Sequence, residues 1–211
     1  KQSKKYSPFI FLFLLLLPFV WYEITLIVSI TALGASSNFF IQGKQKTAIN
    51  LHRVAAYWIS LGKGTLYIIG TPIRTIGGEH YIRQQERFWS VLDDLVKGQE
   101  GVGEIIKEGQ KTFHTIVNTQ ENEQVQSPTL AVNIEHIRNN IFFIQNHFGL
   151  AQAQFTALIE DRSFPFFIPP IRTMGQKANT QLGKLRNDTI VVDNLLSLYQ
   201  KIAGFKEKKT Y

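Results

Sequence analysis

The stretch "LAVNIEHIRNNIFFIQNHFGLAQAQFTAL" (130–158) places Leu130, Ile134, Ile137, Ile141, Ile144, Phe148, Ala151, Phe155 and Leu158 at alternating spacings of four and three. That alternation holds one apolar stripe on one helical face over many turns, as in helices that pack lengthwise. Upstream, Phe88, Leu92, Leu95, Gln99, Val102, Ile106, Gly109, Phe113 and Ile116 keep the same alternation. Downstream, Ala178, Leu182, Leu185, Thr189, Val192, Leu196, Tyr199 and Ala203 keep it again. A shorter run, Ala48, Leu51, Ala55 and Trp58, comes first.

The punctuation between these runs is rich in turn formers. "LGKGTLYIIGTPIRTIGG" (61–78) reads as a break because of its glycines and Pro72. "NTQENEQVQSP" (118–128) is a polar connector, after which Thr129 can cap a helix. "RSFPFFIPPI" (162–171) ends in Pro170, a residue suited to opening a helix. The reading is all-α, with helices over about 36–61, 79–118, 129–161 and 171–203. Short connectors between long heptad helices predict an elongated antiparallel four-helix, coiled-coil-like bundle across residues 34–204.

Ahead of it lies "PFIFLFLLLLPFVWYEITLIVSITALG" (8–34). Pro8 to Leu33 is 26 residues, about 39 Å of helix against a hydrocarbon core of about 30 Å. A signal-peptide core is shorter and ends at small residues, which "VWYEITLIV" does not supply. The expectation is a transmembrane helix over 8–33 behind a cytoplasmic stub at 1–7. Lys4 and Lys5 flank its start, while Lys44, Lys46 and Arg53 lie further from its end. The positive-inside rule then puts the N-terminus in the cytoplasm and the helical region outside. Glu23 admits two positions: at the headgroup layer beside Trp21 and Tyr22, or at mid-bilayer with a partner chain.

Chemistry is hard to find. The 211 residues carry a net charge of +7 and no cysteine, which excludes disulfides and thiolate catalysis. The basic residues form no stripe with aromatics, so no nucleic-acid partner is expected. Gly62-Lys63-Gly64-Thr65 lacks the spacing and the preceding strand of a phosphate loop and reads as helix termination. His52, His80, His114, His136 and His147 show no metal-ligand spacing, and Glu79-His80 and Glu135-His136 point to different faces. No serine elbow or carboxylate pair stands out. Catalytic residues, metal ligands, cofactor-binding residues and cofactors are all expected to be absent, and the chain is not expected to be an enzyme. Asn187-Asp188-Thr189 is a glycosylation sequon, relevant only in a eukaryotic secretory pathway. Phe164, Phe166, Phe167 and Ile168 either cap an open end of the bundle or form a docking patch.

The final residues, "LLSLYQKIAGFKEKKTY" (195–211), resemble a large uncharacterised family of single-pass membrane-anchored proteins common in candidate-phyla bacteria. The breaks "GTPIRTIGG" and "FIPPIRTMG" and the single N-terminal span are similar too. The resemblance implies that Thr210-Tyr211 opens a strand, so that 205–211 begins a further C-terminal domain. That family's Asn-Asn…Glu-Leu-Arg-Pro-Thr-Gly-Gly-Phe motif is not in this chain. The resemblance adds no activity. The expected function is a membrane-anchored extracytoplasmic spacer or stalk holding a downstream domain at the cell surface. The alternative is a chemoreceptor-like four-helix sensory ectodomain. The expected partners are the lipid bilayer, with self-association or envelope proteins beyond it.

Overall fold

In the computed structural model, residues 7–119, 127–163, 165, 166 and 168–202 are described. Expectations for residues 1–6, the connector at 120–126, Phe164, Phe167 and the 205–211 segment fall outside them. The described residues form five helices and no strand: α1 (Ser7–Ile41), α2 (Gln45–Thr75), α3 (Glu79–Thr119), α4 (Ser127–Glu160) and α5 (Pro169–Ile202). Each helix packs on the next in antiparallel fashion, and α1 also touches α3. At 41 residues, α3 is about 62 Å long and sits between the α1–α2 pair on one side and α4 on the other.

Three helix ends use one device. The N–H of Lys44 reaches the carbonyl of Phe39 at 2.9 Å and that of Gly43 reaches Phe40 at 3.0 Å. Gly78 to Ile73 and Gly77 to Arg74 repeat this at 2.9 and 3.1 Å, and Ser163 to Leu158 with Arg162 to Ile159 at 3.0 and 3.3 Å. This Schellman geometry needs a left-handed residue just past the helix, which glycine adopts without strain. Gly43 and Gly77 supply φ of 72° and 91°, whereas Arg162 holds 50°. The α5 start takes Pro169 and Pro170, whose missing N–H groups would have had no helical partner there.

The first two helices differ from the expectation. The break falls at residues 42–44, within the stretch read as one helix over 36–61, and α2 runs through to Thr75 across the stretch read as a break. Gly62 and Gly70 serve packing, and termination falls to Gly77 and Gly78 at the end of the stretch. A Cβ on Gly62 would sit 2.1 Å from the Trp89 ring, and one on Gly70 would press Ile82 at 3.3 Å. Pro72 is tolerated because it lies in the last turn, where one lost backbone bond does little harm.

Two cores result. The first joins Tyr22, Ala32 and Leu33 of α1 to Ala55, Ile59, Leu66 and Ile69 of α2 and Ile82, Trp89, Leu92 and Val96 of α3. The second joins Val91 of α3 to Ile144, Phe148, Ala151, Leu158 and Ile159 of α4, with Phe166 and Leu182. Phe88 and Leu95 touch both. The α4 stripe is buried along Ile134, Ile137, Ile141, Ile144, Phe148, Ala151 and Leu158. On α5, among the described residues, only Leu182 of the expected stripe is buried, and Ala178 is exposed. Leu185 and Val192 are about half exposed, and Thr189 and Leu196 are half-buried. The reason is that α5 packs on α4 alone and does not return to α2.

The two readings of the α2 glycines separate on substitution. Gly62→Ala overpacks Trp89 and should destabilise the fold by about 1–3 kcal/mol. Gly64→Ala, with nothing within 4 Å of its Cβ, should stabilise it by about 0.4–1 kcal/mol. Denaturant melts of the purified chain would show both; equal effects would contradict the close-approach role.

Candidate functional site

The face that α1 turns away from its neighbours is the most unusual surface. Leu16, Leu17, Val20, Ile24 and Ile27 follow one another at helical spacing and are 40–62% exposed, with Trp21 and Ile30 on the flanks. A contiguous apolar stripe of this kind marks contact with lipid or another protein. Leu16–Ile41 is long and apolar enough to cross a membrane. The opposite face mixes apolar and polar residues: Ala32 and Leu33 are buried against the stack along with Tyr22, Thr25, Ser29 and Ser36. Thr25 donates to the carbonyl of Tyr22 and Ser29 to that of Thr25, both at 2.7 Å, so these hydroxyls are satisfied within α1 itself. Tyr22 and Ser36 reach other helices, to Gln85 at 2.8 Å and to the carbonyl of Ala48 at 2.9 Å.

Glu23 is exposed, and its side chain makes no hydrogen bond or ion pair among the described residues. It lies toward Tyr81 of α3: burial raises the Tyr81 hydroxyl above its ordinary range, and the Glu23 charge adds to the rise. Trp21 leans on Trp58 with ring centroids 5.8 Å apart.

The residues singled out from the sequence are scattered. Lys63 of "LGKGT" faces α3 and pairs with Asp93 at 3.0 Å. His80 sits beside Gln84 and Asp161 at the α3–α4 end, and His114 and His136 are exposed. No group of three or more His, Cys, Asp or Glu among the described residues is placed to hold a metal. The fold does create one polar pair that spacing could not reveal. His147 of α4 and Asp94 of α3, 53 positions apart, meet at 2.9 Å, with Gln154 on the second carboxylate oxygen at 3.5 Å. Phe143 packs edge-on against the imidazole at 4.4 Å. The pair clasps α3 to α4. Comparison with protein-family models, with curated proteins and with solved structures returns no match.

Asp93 offers a pH test of the α2–α3 seam. Burial pushes its carboxyl up, but hydrogen bonds from Lys63 and Lys97, at 3.0 and 3.1 Å, outweigh this and hold it below the ordinary range. A carboxyl depressed on folding stabilises the fold above its unfolded value, near pH 4, and loses that contribution as pH falls through the folded value. The three side chains are a third to a half exposed, so the contribution should be under about 1 kcal/mol. Asp93→Asn should therefore lower the melting temperature slightly at neutral pH and match the parent in strong acid. A gap between the two that widens on acidification would contradict the assignment.

Proposed function

We propose that this chain is a membrane-anchored helical spacer, with α1 as the anchor and α2 to α5 outside the membrane. The observation that carries this reading is the outward apolar stripe of α1, on a helix long enough to cross a bilayer. With α1 in lipid, α2 to α5 run out and back twice outside the bilayer, so the bundle rises by roughly the 50 Å of a 34-residue helix and the end of α5 returns to the level of the α2 start.

The packed form cannot be enclosed by lipid as it stands. The ion pairs Lys63–Asp93, Arg74–Glu86 and Glu79–Arg83 lie on α2 and α3 alongside the first half of α1. Burying them in hydrocarbon would be costly. In this proposal α1 crosses the bilayer by parting from α2 and α3. Its hydroxyls at Thr25 and Ser29 are bonded within α1 and enter lipid satisfied, whereas the bonds of Tyr22 to Gln85 and Trp89 and of Ser36 to Ala48 must be given up. The face it uncovers includes Ala48, Ala55, Ile59, Leu66 and Trp89. The exposed α5 stripe of Leu185, Val191, Val192, Leu195 and Leu198 has the matching apolar character to replace it. The result is a closed four-helix bundle of α2 to α5 outside, with the N-terminus inside and Glu23 at the headgroup layer.

The absence of cysteine permits a direct test of orientation. Asn139→Cys, at an exposed site on α4, should react with a membrane-impermeant maleimide on intact cells. Labelling only after lysis would overturn the orientation.

A further inference from the structure

At the end of α2 remote from Trp89, α2 and α3 leave a groove of about 550 Å³ that Phe40 of α1 helps to line. We infer that this groove binds a small zwitterion of amino-acid or dipeptide size. Arg53 enters it from α2 and Glu100 from α3, and neither makes an ion pair among the described residues. Glu104 and Lys107, also in the lining, neutralise each other at 3.1 Å. One cation and one anion therefore remain on opposite walls, too far apart to join. A ligand carrying a carboxylate and an ammonium satisfies both, with the guanidinium able to take the carboxylate in bidentate fashion.

The wall between them supplies a second, independent sign. Gln99 is only 8% exposed, and its amide orientation is fixed because Nε2 donates to the Leu33 carbonyl at 3.2 Å and to Ser37 Oγ. Its Oε1 is left buried without a partner, and so is Nδ1 of His52 in the same lining. A buried acceptor left unmade is destabilising, and an incoming N–H restores the missing bond. Ile49, Ala56 and Val96 complete the lining with apolar surface for a side chain. The volume lies in the range of small-molecule sites. Phe40, Leu33 and Ser37 of α1 complete the groove or hold Gln99 in place, so this inference goes beyond the spacer reading and belongs to the form in which α1 is packed on α2 and α3. Ligand binding here would give the chain the reading role of a sensory ectodomain.

Titration calorimetry on the full chain in detergent tests this with L-leucine and leucyl-leucine as probes. At least one should bind saturably. N-acetyl-leucine and leucinamide, each missing one charge, should bind about tenfold more weakly or worse, as should either probe to Arg53→Gln and to Glu100→Gln. Both substituted residues are exposed, so the fold should survive, which the melting temperature would show. Failure of both probes to saturate, or affinities unchanged by both substitutions in folded protein, would overturn the inference.

Discussion

Everything in the first core converges on Trp89. Its side chain is fully buried, its ring lies against the bare backbone of Gly62, and its indole N–H donates to the Tyr22 oxygen at 3.0 Å. The Tyr22 hydroxyl passes the chain on to Gln85. Three helices thus meet at one indole, and the geometry is permissive only because position 62 has no side chain. A ring of this size provides much of the apolar area of a small core, and its polar edge requires a partner. Removing the glycine shifts α2; removing the tyrosine oxygen leaves a buried donor unpaired.

That convergence also explains what the sequence could and could not disclose. The α4 stripe was legible because α4 is covered along one continuous face, so its buried residues keep the four-three alternation. The α3 stripe was only half legible. A helix covered on two sides buries Trp89 and Val96 toward α1 and α2, and Val91 and Asp94 toward α4, so one heptad frame misses residues of both. The glycines at 62 and 70 signalled a break because glycine is a poor helix former. Nothing local distinguishes that from a glycine that admits a ring from 27 positions away. The His147–Asp94 pair and the Gln99 groove are likewise products of helix register, invisible until α2, α3 and α4 are aligned.

The apolar α1 was legible as a helix but not as a packing partner. Its sequence reads as lipid-seeking throughout, yet one face is seated on α2 and α3 through Tyr22, Thr25, Ser29 and Ser36. Thr25 and Ser29 bond back to their own turn and are compatible with either environment, whereas Ser36 donates to α2. The same economy of polarity leaves α5 half covered, with an apolar stripe that the five-helix stack does not use. The two unfilled demands, lipid for α1 and a cover for α5, are met together if α1 leaves the stack and α5 closes over α2.

Disulfide trapping measures that exchange directly in a chain with no cysteine of its own. Ala48 is fully buried in the stack, where Ser36 of α1 bonds to its carbonyl, and Val192 is exposed on α5. The successive antiparallel pairings bring the two to the same height. The Ala48→Cys, Val192→Cys double variant should crosslink within one chain when oxidised in lipid vesicles, and should not crosslink when the reduced protein is refolded without lipid and then oxidised. Absence of the crosslink in vesicles, in protein that has inserted, would mean that α1 keeps its seat on α2 and that the closed bundle does not form.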